Sequence, residues 1–276
     1  MSESNTVTVA LDGAVAVVSL NRPHKRNAMS PQLHIDMTDV LEKLRYDTAS
    51  RVVVITGAGE SFCAGMDLKE FFVALKDKPA EFDRIYRMAT EWRYRTLRYY
   101  PKPTICMVNG YCFGGAFTIV EACDLAFAAK EATLGLSEIN FKHYPGGSVS
   151  KSLANLLRPR DALFLAMTGR TFNGDRAAEI GFVNAAYPKA DLQREVMAIA
   201  HEIAQKDPDA LQACKEGYRF SLEMSAEASM NFTAAKSDQL SLRQQDSWRS
   251  EGIGDFLEGK YRPGLGGHEQ AAKPSS

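Results

Sequence analysis

The stretch Met107-Val108-Asn109-Gly110-Tyr111-Cys112-Phe113-Gly114-Gly115-Ala116-Phe117-Thr118, running on to Leu136-Ser137-Glu138, decides the fold. The apolar run Thr104 to Val108 reads as a strand that delivers the chain into Asn109-Gly110, and Gly114-Gly115-Ala116 then opens a helix of small residues. A glycine pair at such a place lets a ligand approach the backbone, because no Cβ intervenes. The first N–H groups of a helix have no internal partner and its dipole is positive at that end, so the position suits a phosphate or an oxygen that becomes anionic during a reaction. The same glycines also serve tight helix–strand packing, and Gly-Gly alone leaves both uses open.

A second segment narrows the choice. Gly57-Ala58-Gly59-Glu60-Ser61-Phe62-Cys63-Ala64-Gly65-Met66-Asp67-Leu68 follows another β-branched run, Val52 to Thr56, and offers a further backbone N–H at Met66. Two N–H groups converging on one oxygen make an oxyanion hole.

With these segments quoted, the chain is identified as resembling the crotonase (enoyl-CoA hydratase/isomerase) superfamily. The resemblance rests on Asn21-Arg22-Pro23, Arg26-Asn27-Ala28, Ala64 to Leu68, Lys102-Pro103, Asn109-Gly110, Gly114-Gly115-Ala116 and Glu138 in that order, and runs from about residue 6 to about residue 262. Within the superfamily, Lys25 to Pro31, Ala64 to Glu70, Cys112 to Gly115 and Leu136 to Asn140 resemble the hydroxycinnamoyl-CoA (feruloyl-CoA) hydratase-lyases. The resemblance implies an α/β fold: a spiral of repeated ββα units over residues 1–190, carrying the CoA site and active site, then a helical trimerisation region over 191–262. Homotrimers, or hexamers built as dimers of trimers, are expected.

Composition agrees with a large globular chain. Its 276 residues are 45% hydrophobic, and 33 Lys plus Arg against 34 Asp plus Glu leave a formal net charge of −1, which argues against a general nucleic-acid binder. Cys63, Cys106, Cys112, Cys123 and Cys214 lack metal-ligand spacing and read as reduced thiols of a cytoplasmic protein. No apolar run reaches membrane-spanning length, and the polar N-terminus lacks a signal-peptide core, so a soluble protein without membrane partners is expected. No metal, nicotinamide or phosphate-loop motif appears; Gly57-Ala58-Gly59 lacks the Lys-Ser/Thr ending of a P-loop. The expected cofactor list is empty apart from the CoA moiety of the substrate.

In chain order, Thr6–Leu11 and Val15–Leu20 read as a hairpin around Asp12-Gly13, and Ser30-Pro31 as a capped helix start. Glu81–Tyr100 reads as a long aromatic-rich helix, and Gly181 to Asn184 resembles the family's last core strand. Strand–loop–helix units recur at about 50-residue intervals without a strict repeat. Beyond Leu192 the strand signal vanishes, as expected of a helical appendage or oligomer interface. The Gly/Pro/Ser-rich end, 263–276, reads as disordered.

The resemblance also implies a site. The amides of Met66 and Gly115 would hold the thioester oxygen. Lys25, Arg26, Ala28 and Ala64 would border the CoA, and Leu68, Phe71, Thr118, His143, Tyr144 and Ala234 the acyl group. Hydratases of the family use two glutamates, one three residues after the oxyanion glycine and one about twenty residues later. Here the first position is Thr118, which has no useful acid–base pKa, and the second is Glu138. Glu121, one turn deeper on the helix, is either a substitute carboxylate or a buried structural one. The hydroxycinnamoyl enzymes carry tyrosines where Phe71 and Ala234 stand, so recognition of a para-hydroxyl is in question. Lys142-His143-Tyr144-Pro145 replaces a more apolar segment; His143 or Tyr144 reads another ring substituent, joins the proton traffic, or belongs to a surface loop. The expected activity is hydration and retro-aldol cleavage of an aryl-enoyl-CoA to an aromatic aldehyde and acetyl-CoA. A hydratase or Δ3,Δ2-enoyl-CoA isomerase is the alternative, and a retired, non-catalytic scaffold a third.

Overall fold

A computed structural model describes residues 6–260 of the chain. β1 (Val7–Asp12) and β2 (Val15–Leu20) pair antiparallel across a turn at Gly13, whose φ of +56° suits glycine. β3 (Val52–Gly57) lies parallel to β2 and is buried along its whole length, as its unbroken apolar run requires of a strand covered on both faces. The chain then turns a corner into β4 (Ser61–Cys63). The next turn repeats this with β5 (Thr104–Val108) and β6 (Tyr111–Phe113), and a third with β7 (Leu125–Ala129) and β8 (Leu134–Gly135). A last strand, β9 (Ala185–Tyr187), closes the series.

Among the described residues the order is β1-β2-β3-β5-β7-β9 in a six-stranded sheet and β4-β6-β8 in a three-stranded one. Every turn of the chain therefore gives one strand to each sheet, and from β2 onward all pairings are parallel. This is the spiral of ββα units. Its corners are built on glycine: a Cβ on Gly57 would lie 2.0 Å from the Ser61 carbonyl oxygen, and one on Gly110 1.9 Å from that of Glu60. The Asn109 amide ties two corners together by donating to the carbonyls of Gly57 and Gly59, both at 2.8 Å.

Helices cover the spiral. Ser30 caps α1 (Pro31–Tyr46), its hydroxyl accepting from the Leu33 N–H at 3.2 Å, and Leu33, Met37, Leu41 and Leu44 face inward. α2 (Pro79–Thr90) passes into a π-helical stretch, Glu91–Thr96, so the helix read over Glu81–Tyr100 is not uniform. The wide turn buries two sequence neighbours at once, Trp92 and Arg93. α3 (Ala116–Ala122) is sealed on every side. α4 (Val149–Leu156), α5 (Pro159–Thr168) and α6 (Gly174–Glu179) follow. The last core strand begins at Ala185, later than Gly181 to Asn184; Phe182 and Val183 are buried ahead of it, and the Asn184 side chain accepts from the Ala126 N–H at 2.8 Å.

α7 (Lys189–Ala204) buries Leu192, Val196, Met197, Ala200 and Ala204 and packs on β2, β3, β5 and β7. It thus belongs with the spiral, although the strand signal has already ended there. The chain divides into two compact units, and the second starts at Asp209. This second unit holds most of α8 (Pro208–Ser221), then α9 (Ala226–Arg243) and a π-helical turn, Trp248–Ile253, that leads into α10 (Gly254–Leu257). No residue of α8 or α9 is buried. No helix among the described residues is long and apolar enough to cross a membrane. The stretch 263–276, read as disordered from composition, lies outside the described residues.

Gly110→Ala forces a methyl into the Glu60 carbonyl and should cost about 3 kcal/mol or more of stability. Urea unfolding measures it; a change below 1 kcal/mol (roughly a fivefold change in equilibrium constant) would mean that the corner has room to open.

Candidate active site

The turn between β6 and α3 starts with Gly114 at φ +52° and Gly115 at the helix N-cap. Against it lies the loop after β4, where Gly65 has φ +89° and no space for a side chain: its Cβ would sit 2.8 Å from the Phe113 carbonyl oxygen and 3.6 Å from the Gly115 nitrogen. Met66 is held from one side only. The Met29 N–H donates to the Gly65 carbonyl at 2.8 Å and the Asp67 N–H to the Met29 carbonyl at 3.0 Å, a parallel bridge that uses Met66's neighbours and leaves its own N–H out. Neither the Met66 nor the Gly115 N–H donates to any group among the described residues. A buried arginine braces this loop: Arg22 spans Asp67 at 3.0 Å and Glu70 at 2.6 Å and also donates to the Ala28 carbonyl.

Glu138 opens the short 3-10 turn Glu138–Phe141 after β8. Its carboxylate presses on the glycine turn, since a Cβ on Gly114 would meet Oε1 at 2.9 Å. Oε2 is buried and has no hydrogen-bond partner among the described residues. Burial raises the carboxyl above its usual range, against smaller lowering effects from its own backbone N–H and from His143. Met66, Gly115 and Glu138 share one cavity of about 550 Å³, a size that suits a bound small molecule.

That cavity also takes in Arg26, Ala64, Leu68, Phe71, His143 and Tyr144. Arg26 stacks on the Tyr111 ring with its guanidinium carbon 4.6 Å from the centroid, and the rings of His143 and Tyr144 stack at 5.0 Å. Phe71 is fully buried, with its ring edge-on to Phe72, Phe82 and His34. Three expected residues stand outside the cavity wall. Lys25 is exposed on a 3-10 turn, Ala28 is half-buried with its carbonyl taken by Arg22, and Thr118 is sealed at 1% exposure with a hydroxyl that has no partner. Ala234 belongs to the second unit, on α9.

Glu121 is a structural carboxylate. It is 3% exposed, forms an ion pair with the buried Arg98, accepts from Asn155 at 2.9 Å and receives the Ser152 hydroxyl at 3.4 Å. It takes no part in lining the cavity.

Sequence reasoning missed Arg93. It lines the cavity at 6% exposure, donating through Nε to the Ala89 carbonyl at 2.9 Å and through Nη1 to the Gly115 carbonyl at 3.0 Å. The signal was present: Ile85, Ala89, Arg93 and Leu97 recur every four residues, which puts a charge on the buried face of the helix. Tyr86, one of the aromatics of the helix read over Glu81–Tyr100, also lines the cavity, as do Phe72 and Phe141, which were not singled out for it.

Comparisons with known proteins bear on this geometry. The family model described as enoyl-CoA hydratase/isomerase matches residues 11–263. The chain belongs to the enoyl-CoA hydratase/isomerase family. It is 46% identical to the hydroxycinnamoyl-CoA hydratase-lyase of Pseudomonas fluorescens, over 94% of this chain and 95% of that one. It is also 31% identical to the 2,3-dehydroadipyl-CoA hydratase of Escherichia coli, over 88% and 92% of the two chains. A solved enoyl-CoA hydratase from Polaromonas sp. JS666 superposes with a TM-score of 0.83 at 28% identity, covering 92% of this chain and 97% of that one.

Glu121→Ala leaves Arg98 buried without its partner and should lower stability by about 3 to 5 kcal/mol. Turnover per folded molecule, measured alongside urea unfolding, should be unchanged. Lost turnover at unchanged stability would make Glu121 part of the chemistry.

Proposed function

We propose that the cavity binds an aryl-enoyl-CoA thioester, hydrates it and cleaves it to an aromatic aldehyde and acetyl-CoA. The observation that carries this reading is a half-buried carboxylate, its Oε2 buried and unpartnered among the described residues, against a glycine turn whose amide, like that of Met66, donates to no group among them. The similarity to the hydroxycinnamoyl-CoA hydratase-lyase supports the choice of reaction.

In this mechanism the thioester oxygen accepts from the Met66 and Gly115 amides. Glu138 takes a proton from water, whose oxygen bonds to Cβ while the double-bond electrons move onto the thioester oxygen as an enolate. The protonated Glu138 returns that proton to Cα. Glu138 then removes the β-hydroxyl proton, the Cα–Cβ bond breaks, and its electron pair becomes the enolate of acetyl-CoA as the aldehyde departs. Protonation of that enolate at Cα by Glu138 completes the cycle. Each amide of such a pair contributes on the order of 3 kcal/mol to lowering the barrier. A carboxyl that gives and takes protons in turn works best with a raised pKa, as burial provides here.

Phe71, Phe72, Tyr86 and Phe141 give the acyl end an aromatic lining suited to a ring. With Phe71 lacking a hydroxyl, a ring without a para-hydroxyl suits this wall better than a phenol, whose unpaired hydroxyl costs on the order of 1 to 3 kcal/mol. Arg26 and the exposed Lys25 are assigned to the phosphates of CoA. The helical unit from Asp209 is assigned to self-association as a trimer or a pair of trimers, because Tyr218, Met230 and Leu242 stand exposed on helices that bury nothing.

Incubation with cinnamoyl-CoA and feruloyl-CoA, with mass detection of products, tests the reaction. Aldehyde and acetyl-CoA in equal amounts are expected. A hydrated acyl-CoA with no aldehyde would make the protein a hydratase, and a shifted double bond an isomerase. Glu138→Gln should lower kcat by about a thousandfold.

The raised carboxyl pKa also fixes a sign for stability. The folded protein holds Glu138 neutral more readily than the unfolded chain does, so its contribution is full below the ordinary carboxylate range and is lost as pH rises through the folded value. Glu138→Gln should therefore be more stable than wild type at pH 7, with the gap closing as pH falls toward about 4. Thermal melting across that range measures it, and a variant less stable than wild type at pH 7 would give Glu138 a structural role.

A further inference from the structure

Arg93 is the feature of the cavity that the mechanism above leaves unused. It is 94% buried by the complement of its 6% exposure, and among the described residues it forms no ion pair. Of the titratable groups around it, Cys63, His34 and Tyr86 supply no anion, and the Glu138 carboxyl, which lines the same cavity, forms no ion pair with it among the described residues and is pushed toward its neutral form by burial. Cys63 is a neutral thiol, its pKa pushed up to about 12 by burial, and His34 is held neutral by burial and by the charge of Arg93 itself. Tyr86 presents a phenol. Burial lowers the guanidinium pKa to about 10, which still leaves it cationic at neutral pH. An isolated buried cation is costly to keep, and proteins normally pair it.

Its place explains why the charge is kept. Nη1 donates to the Gly115 carbonyl at 3.0 Å, and a Cβ on Gly115 would lie 2.8 Å from the same nitrogen and 3.5 Å from Met66 Cγ. The guanidinium is therefore fixed against the residue whose amide faces the reacting oxygen. Nη2 has no protein partner among the described residues. Nε is anchored one helical turn back on Ala89, so the group cannot swing away to solvent.

We propose that Arg93 is a positioning residue for enolate formation: it holds the Gly115 peptide in place and supplies a positive charge that a neutral thioester oxygen leaves unpaired and an enolate oxygen pairs. This rests on the oxyanion assignment of Met66 and Gly115 but not on carbon–carbon cleavage. The ground-state thioester is neutral and gains little from the cation, whereas the enolate gains much in a site of low polarity. The uncompensated charge is a stability cost retained for the reaction.

The test uses acetoacetyl-CoA, a stable thioester whose enolate has its own ultraviolet absorbance. The enolate fraction bound to wild type is compared with that bound to Arg93→Met and Arg93→Lys across pH, and melting temperature is read for each. Arg93→Met should shift the bound ketone–enolate equilibrium toward the neutral form by about tenfold or more. Arg93→Lys should restore part of it. Arg93→Met should also melt at or above the wild-type temperature, because a buried unpaired charge has gone. With the turnover substrate, kcat should fall while KM stays near its wild-type value.

An enolate fraction unchanged in both variants overturns the proposal. So does a loss confined to KM for particular acyl groups, which would make Arg93 a reader of an anionic acyl substituent. A fall in melting temperature that accounts for the lost activity in both variants reduces Arg93 to a packing role and also overturns it. If wild type makes no aldehyde yet the enolate equilibrium depends on Arg93, the choice of reaction fails and the role of Arg93 stands.

Discussion

Everything at the site depends on two backbone segments from different turns of the chain passing each other without a side chain between them. Gly65 runs against the Phe113 carbonyl and Gly110 against the Glu60 carbonyl at distances that no Cβ tolerates, and Gly65 also lies beside the Gly115 nitrogen. The parallel bridge at Met29 and the Asn109 amide hold these approaches closed. What results is a pair of amides that secondary structure has left without acceptors. Unsatisfied N–H groups are expensive in a protein interior, so their presence beside a cavity is a reason to look for a ligand oxygen there.

The carboxylate across from them has the complementary property. Glu138 sits where burial favours its neutral form, yet it borders a cavity large enough for a substrate. A carboxyl at the same distance from its glycine turn but open to water would remain ionised and would make a poor acid. The proposed chemistry thus follows from a shared condition: the half-buried amides and carboxyl and the buried Arg93 cation are incompletely paired among the described residues. In the proposed reaction one ligand that turns anionic would meet these needs together.

Much of this was legible in the residues. The strands were visible because parallel strands covered on both faces leave unbroken β-branched runs, as at Val52 to Thr56 and Thr104 to Val108. The glycine turn and Glu138 were visible because their spacing resembles a known family. The π-helical stretches at Leu68–Val73 and Glu91–Thr96 were not, because a side-chain pattern read at 3.6 residues per turn does not register one wide turn. Arg93 was legible in the four-residue recurrence of Ile85, Ala89, Arg93 and Leu97, but a charged residue in that series reads more readily as solvent-facing. Lys25, Ala28 and Thr118 were carried by resemblance alone, and they stand outside the cavity wall because one is exposed, one has its carbonyl occupied and one is sealed under α3. α7 has no strand signal, yet its apolar stripe packs on the sheet, which a helical pattern alone does not show.

The central claim is that Glu138 moves a proton at the carbon next to a thioester whose oxygen the two amides hold. The most direct measurement is hydrogen exchange at the methyl group of acetyl-CoA in D2O, followed by mass spectrometry, with wild type and Glu138→Gln. Deuterium entering with wild type and not with the variant is the expected result. Exchange at the same rate in both would contradict it, since the proton would then be moving without the carboxylate.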